Sequence, residues 1–271
     1  LAYISSNHEL RLYNPSTDTH TTVLEDFCCG FHFNSDRQIA WSERNEDGES
    51  YIFVLDIHTP DRSPVNISEQ LNLPGQVLGW SRDGRYLVFV SPRNFFDVIW
   101  HMDESGTPIP LYEPTLAPQD IRSIYVWDGE RAINITPDEL VESPESYSVA
   151  WSYDGQLAFT VCQQISDEYS EYEIYLWDGN TTVNLSQNPG GIDQYPKWSN
   201  DNQIIFSSLR DGEQGAYLWD GVSYKDGLPD ADTFIDIKPD GYVSMGGIVL
   251  NWTHDGRWSF SGSEIDVGGY A

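Results

Sequence analysis

Apolar positions along the chain come in short runs, several ending in an aromatic residue, that are separated by polar turns. The runs at 86–89, 157–162 and 204–206 are rich in β-branched and aromatic residues, as half-buried strands require. Asp-Gly or Asn-rich turns separate many of the runs. Asp-Gly between apolar runs is a hairpin signal, because glycine accepts positive φ and aspartate tolerates it. No segment carries a capped apolar stripe of period 3.6, so helix is expected to be a minor component.

The runs belong to a repeat. One phrase recurs at Trp80-Ser81-Arg82-Asp83-Gly84, Trp151-Ser152-Tyr153-Asp154-Gly155, Trp198-Ser199-Asn200-Asp201-Asn202 and Trp252-Thr253-His254-Asp255-Gly256, with a worn copy at Phe33-Asn34-Ser35-Asp36-Arg37. A second phrase runs Ile124-Tyr125-Val126-Trp127-Asp128-Gly129, Ile174-Tyr175-Leu176-Trp177-Asp178-Gly179 and Ala216-Tyr217-Leu218-Trp219-Asp220-Gly221. A third is Val65-Asn66-Ile67-Ser68, Ile133-Asn134-Ile135-Thr136 and Val183-Asn184-Leu185-Ser186. Each repeat reads as four short antiparallel strands, a unit that cannot bury both of its faces alone. Stacking such sheets around an axis buries them, which is the β-propeller solution.

The expected architecture is therefore an all-β β-propeller of four-stranded antiparallel blades in one domain, with seven blades, or six if the termini share one. Anchors at 33, 80, 151, 198 and 252 are spaced 47, 71, 47 and 54 residues apart. The 71-residue interval holds two outer-strand pairs (98–102 with 109–112, and 124–127 with 133–135) but no second anchor, and falls 23 residues short of two repeats. One blade is expected to lack its inner strands, with residues absent near 115–121. The blades then span roughly 1–26, 27–70, 71–114, 115–140, 141–188, 189–235 and 236–271. The chain opens on Leu1 without a signal-peptide pattern, as a mature or partial chain would.

These phrases resemble the WD40-like repeats of the TolB propeller family, whose pattern runs W-S-P-D-G, then I-Y-x-x-D, then x-L-T-N. The stretch from Asn184-Leu185-Ser186-Gln187-Asn188-Pro189 through Tyr195-Pro196-Lys197-Trp198-Ser199 carries the likeness most closely. Arg82, Tyr153, Asn200 and His254 stand where the family has proline. The resemblance implies an extracytoplasmic bacterial propeller, periplasmic, cell-surface or secreted, used for protein contacts. Similar propellers precede the catalytic domain of prolyl-oligopeptidase-type peptidases, and related ones are polysaccharide lyases, so the fold alone does not choose a function.

Composition narrows the choice. Forty-three acidic side chains against 14 basic ones give a net charge of −29 in 271 residues. A phosphate backbone would meet a repulsive field, so nucleic acid is excluded as a partner. No apolar run reaches the roughly 18–20 residues of a membrane-spanning helix. Cys28, Cys29 and Cys162 are too few for a disulfide framework and lack zinc-site spacing, and Cys162 reads as a small core hydrophobe.

No catalytic motif emerges. Gly79-Trp80-Ser81-Arg82-Asp83 comes nearest to a G-x-S-x-G elbow, fails at its last position and is itself a repeat anchor. The six histidines occupy different repeat positions. All ten tryptophans fall on strand positions of the repeat, which reads as packing between blades rather than a sugar-stacking surface. The Asn-x-Ser/Thr triplets at Asn66, Asn134 and Asn184 follow the third phrase, so strand pairing explains them better than glycosylation does.

The acids divide. Asp83, Asp154, Asp201, Asp128, Asp178 and Asp220 belong to the repeated turns. Extra clusters at Glu43, Glu46, Asp47 and Glu49, at Asp138, Glu139, Glu142 and Glu145, at Asp167, Glu168, Glu171 and Glu173, and at Asp226, Asp230, Asp232, Asp236 and Asp240 do not. These are expected in the second-to-third-strand loops and the blade-to-blade loops, which share one face of a propeller. Two readings of that face compete: a solvated surface that keeps the protein soluble, and a docking surface for a basic protein or cell-envelope component. Calcium is the one cofactor that such carboxylates suit, although no EF-hand-like loop is present.

Overall fold

In the computed structural model, which describes residues 2–25, 27, 30–34, 37–46, 49–58, 63–92, 100–102, 108–110, 122–137, 148–166, 169–210, 212, 215–225, 227–236, 249–252 and 258–261, the repeat phrases become antiparallel sheets. The chain divides into two compact units, Leu1–Gln119 with Ser123–Asn134, and Asp120–Arg122 with Ile135–Ala271.

The first unit opens on a three-stranded sheet of β1 (Ala2–Ile4), β2 (Leu10–Asn14) and β3 (Thr19–Leu24). Strands β4 (Phe31–Asn34), β5 (Gln38–Arg44), β6 (Ser50–Asp56) and β7 (Val65–Asn66) form a four-stranded sheet in chain order. β7 runs into the short helix α1 (Ile67–Leu71), whose first turn is capped by the Asn66 side chain accepting from Glu69 N–H. Next come β8 (Gln76–Trp80) and β9 (Leu87–Pro92), a separate hairpin of β10 (Trp100–Met102) and β11 (Pro108–Pro110), and then β12 (Arg122–Trp127) and β13 (Ala132–Asn134).

The order of this last sheet is β13–β12–β9–β8, which corrects the reading of the 71-residue interval. The inner strands of the 124–135 pair are not missing, because β8 and β9 supply them. Segment 93–121 is an insertion between a second and a third strand, and the divisions 71–114 and 115–140 contribute to one sheet. Side-chain fit carries the pairing: the Phe89 ring stacks on Tyr125 at 5.5 Å and 15°. Loop length opposes such closure only weakly, at about 0.6 kcal/mol per doubling.

Period-two alternation makes each central strand apolar on both faces. From β5 and β6, Ile39, Trp41 and Leu55 enter one cluster with Leu10, Phe27 and Ile57, while Ala40, Ile52 and Val54 enter another with Val77, Leu87, Phe89, Tyr125 and Trp127. The sheet is thus packed from both sides within its unit, each buried large side chain contributing about 1.5–3 kcal/mol.

The second unit holds two four-stranded sheets. One comprises β14 (Val149–Trp151), β15 (Leu157–Ser166), β16 (Tyr169–Trp177) and β17 (Thr182–Asn184). The other pairs β18 (Asp193–Trp198), β19 (Ile204–Ser208) and β20 (Gly215–Trp219) with β23 (Ile235–Asp236), after a small hairpin of β21 (Tyr224–Lys225) and β22 (Leu228–Pro229) and a 3₁₀ turn at Ala231–Thr233. β24 (Val249–Trp252) and β25 (Trp258–Ser261) pair separately. Ala158, Ile174, Leu176 and Leu185 of the first sheet meet Ile204, Phe206, Tyr217 and Trp219 of the second. Trp198 Nε1 donates to Ala150 O at 2.9 Å across the same interface, the packing role expected of the anchor. Cys162 is buried as a small hydrophobe, and Cys28 and Cys29 lie outside the described residues.

The repeat phrases are turn chemistry. Ser81 Oγ donates to Asp83 at 2.7 Å and accepts from Tyr86 N–H at 2.9 Å, and Ser152 does the same with Asp154 and Gln156. Ser81 is 2% exposed and committed to the turn, so the near-elbow is structural. Asp128 Oδ1 accepts from the N–H groups of Glu130 and Arg131, as Asp178 does from Asn180 and Thr181, and Asp220 from Val222 and Ser223. In the third phrase Ser68 and Ser186 accept from Ile52 N–H and Ile174 N–H, both at 2.9 Å, which gives two Asn-x-Ser triplets a structural role. Asn202 takes φ 60° where other copies have glycine.

Gly221 lies at φ +83°, and a Cβ there would meet Asn202 O at 1.9 Å, whereas Gly129 at φ +101° has nothing within 4 Å. Gly129→Ala should cost only the left-handed penalty of about 1–2 kcal/mol, and Gly221→Ala about 2–4 kcal/mol. Denaturant unfolding of both variants measures the difference.

Candidate acidic interaction site

The β5–β6 loop carries the first cluster. Glu43 sits opposite Tyr51 in the ladder, and Asn45 and Glu49 close the turn through Asn45 N–H to Glu49 O and Glu49 N–H to Asn45 Oδ1, both at 2.9 Å. Glu43 accepts from the buried Trp41 Nε1 at 2.6 Å, and Glu49 accepts from the Tyr51 hydroxyl at 3.1 Å. These bonds orient two of the carboxylates while leaving Glu43, Glu46 and Glu49 exposed. Among the described residues none of the three has an ion-pair partner.

Three arginines of the unit are paired elsewhere. Arg37 pairs with Asp56 at 2.8 Å, Arg131 with Asp128 at 3.3 Å, and Arg85 with Asp83. Hydrogen bonds from Arg37 and from His58 N–H hold the Asp56 carboxyl below the usual range, and the Arg131 and Glu130 N–H groups do the same for Asp128.

In the second unit the third cluster divides. Glu171 is half-buried and accepts from Gly190 N–H at 2.7 Å. Glu173, two residues along β16, is 7% exposed. It accepts from Ser186 Oγ, and from Asn188 N–H at 3.0 Å. Asp193, at the start of β18, is fully buried with no hydrogen bond to either oxygen, and its cation is Arg210 at 3.7 Å. The Arg210 guanidinium also donates to Ser186 O at 3.2 Å and lies 5.4, 4.9 and 4.8 Å from the ring centroids of Phe206, Tyr217 and Phe234. Burial pushes both carboxyls up. At Asp193 the polar neighbours Ser208, Asn188 and Arg210 pull only part of the way back, and at Glu173 the nearby Asp193 charge adds to the rise.

The fourth cluster lies where the topology was not expected to put it. Because β23 is the fourth strand beside β20, Asp230 and Asp232 occupy the connection between a third and a fourth strand rather than a blade-to-blade loop. The connection nevertheless packs along β17, and Gln187 Nε2 donates to Pro229 O, so Asp230 lies beside the loop that follows β17. Asp230 caps the 3₁₀ turn by accepting from Asp232 N–H at 3.1 Å, and Asp232 pairs with Lys225 at 3.0 Å. Asp47, Asp138, Glu139, Glu142, Asp167 and Glu168 lie outside the described residues. Among those described, no three His, Cys, Asp or Glu side chains converge to hold a metal ion.

Dipeptidyl peptidase 4 from Porphyromonas gingivalis superposes with a TM-score of 0.59 over 96% of this chain and 41% of its own, at 12% identity. The fold is a β-propeller. Other similar solved structures are TolB from Acinetobacter baumannii (16% identity, 81% of this chain and 49% of that one, TM-score 0.43) and the β-propeller domain of the Trilobed protease from Pyrococcus furiosus (17%, 93% and 82%, 0.34). The chain spans about half of that TolB and less than half of the peptidase. No protein-family model and no curated protein sequence matches it.

The buried Glu173–Asp193–Arg210 group was not legible as such, since Glu173 reads as a member of an exposed loop cluster. One signal was available: Glu173 directly precedes the apolar core run of β16, where a surface acid is out of place. A carboxyl raised by folding favours the native state fully below its unfolded value of about 4, and that contribution is lost as pH climbs through the raised value. The lowered Asp56 and Asp128 act oppositely, losing their contribution in acid. Stability should therefore peak in mild acid, and the melting temperature should fall as pH rises from there through the raised values. Glu173→Gln should flatten that fall, each kcal/mol reading as roughly 2–4 °C in melts followed by circular dichroism.

Proposed function

We propose that this propeller is a non-enzymatic interaction module acting outside the cytoplasm, engaging a basic protein or cell-envelope component through its loop carboxylates. The observation that carries the reading is the exposed trio Glu43, Glu46 and Glu49, none of which has an ion-pair partner among the described residues, Arg44 in the same segment included, while Arg37, Arg85 and Arg131 pair with Asp56, Asp83 and Asp128. Glu171 and Asp230 give the second unit loop carboxylates of its own, and the acids at 47, 138, 139, 142, 167 and 168 belong to the expected loop set in sequence. Asp232, already paired with Lys225, contributes less. A surface of one charge sign accelerates encounter with the opposite sign and weakens as salt screens it.

The test is affinity capture from the cell-envelope fraction of the source organism with the wild type and with a Glu43→Gln, Glu46→Gln, Glu49→Gln triple variant. A basic partner retained by the wild type at low salt, released at about 1 M salt where the screening length is about 3 Å, and lost by the variant is the expected result. No partner, or equal retention by the variant, overturns the reading.

A second reading is that the chain is the propeller portion of a prolyl-oligopeptidase-type peptidase or a lyase-like enzyme. Its motivation is the alignment of nearly the whole chain with part of a peptidase. The complete open reading frame decides between them, because a hydrolase domain alongside the propeller would select the second.

A further inference from the structure

The indoles at the repeat positions differ in how their N–H groups are satisfied. Trp198 donates its N–H to Ala150 O at 2.9 Å, and Trp219 donates to Ser223 O at 3.1 Å. The same repeat positions in the first unit are Trp80 on β8 and Trp127 on β12, with ring centroids 6.4 Å apart and tilted by 55°. In the Trp80–Trp127 pair, Trp80 Nε1 is covered and has no acceptor, as holds also for Nε1 of the anchor Trp151 in the second unit. Beside the pair lies an open cleft of about 330 Å³, walled by Trp80, Trp127, Tyr86, Arg85, Asp128 and Gln38.

We propose that this cleft binds one pyranose-sized unit of a neutral saccharide, a role separate from the acidic loops. Three aromatic side chains offer surfaces to the C–H faces of a sugar ring. The remaining groups both donate and accept: the indole N–H groups and the Arg85 guanidinium donate, and the Asp128 carboxylate and the Gln38 amide oxygen accept. A ring bearing several hydroxyls matches that mixture, whereas an ion does not. The local charges are balanced, because Arg85 pairs with Asp83, and Arg131 with Asp128. In a chain of net charge −29 an anion is further disfavoured, and a cation is drawn to the unpaired acids instead. The volume sits at the lower end of the roughly 300–1,000 Å³ of small-molecule sites, which suits one ring rather than an extended chain.

Titration of the ¹⁵N-labelled full chain followed at the indole N–H signals tests this, with Trp80 and Trp127 assigned from their Phe variants. The probes are glucose, galactose, mannose and N-acetylglucosamine, each also as its homodisaccharide, with glucuronate and free lysine as charged counterparts. Saturable shifts of the Trp80 and Trp127 signals by at least one neutral sugar are expected, with several-fold weaker binding in Arg85→Ala, whose side chain is 63% exposed and outside the core. Stronger binding of a disaccharide would identify a polymer segment, and equal binding a free monosaccharide. No shift with any neutral sugar at about 10 mM, tenfold above a Kd of about 1 mM, overturns the proposal. So does tighter binding of glucuronate or lysine.

Discussion

Everything in these sheets depends on a strand that must bury both of its faces. β5 and β6 show it most plainly: neighbouring residues such as Ile39 and Ala40, or Val54 and Leu55, enter two different apolar clusters. A sheet so patterned cannot be stable alone, since one face would remain in water. Each blade-like sheet therefore requires a neighbour on either side. Large aromatic side chains fill the space between them, with Trp41 stacked on Phe53 at 5.6 Å and Trp198 bonded to the adjacent sheet.

That requirement leaves the turns to carry the polar chemistry. Serine and aspartate of the anchor, and aspartate of the Trp-Asp-Gly phrase, satisfy backbone N–H groups that have no ladder partner. The same aspartates hold two arginines, Arg85 at Asp83 and Arg131 at Asp128, within a few residues of where each emerges. The chain's negative charge is thereby concentrated where no turn uses it, in loops such as the one bearing Glu43, Glu46 and Glu49. In the second unit Arg210 is the exception, being drawn among three rings and a buried carboxylate.

Strand identity and turn type were legible because both are local: Asp-Gly and Trp-Ser-x-Asp act over a handful of residues. The sheet containing β12 was not, because equal spacing between anchors carries no information about an insertion. Hydrogen bonding recognises which edge is free, and Phe89 finds Tyr125 across the added segment. The acid clusters were found by subtraction, as the residues that the repeat does not use. Subtraction could not separate exposed Glu43 from buried Glu173, because burial there depends on Ser186 and Asn188 arriving from the following strand and loop. The Trp80–Trp127 cleft was hidden for the opposite reason, since those tryptophans occupy ordinary repeat positions.

The insertion at 93–121 also sets a clock. β8 and β9 leave the ribosome before the segment that separates them from β12, and at about 5–20 residues per second that segment takes about 1.5–6 s to be made. Throughout that interval β9 presents an unpaired, fully apolar edge, with Leu87, Val88 and Phe89 destined for complete burial. This sheet is consequently a stretch of the first unit exposed to mispairing during synthesis, a cost that the insertion rather than the repeat imposes.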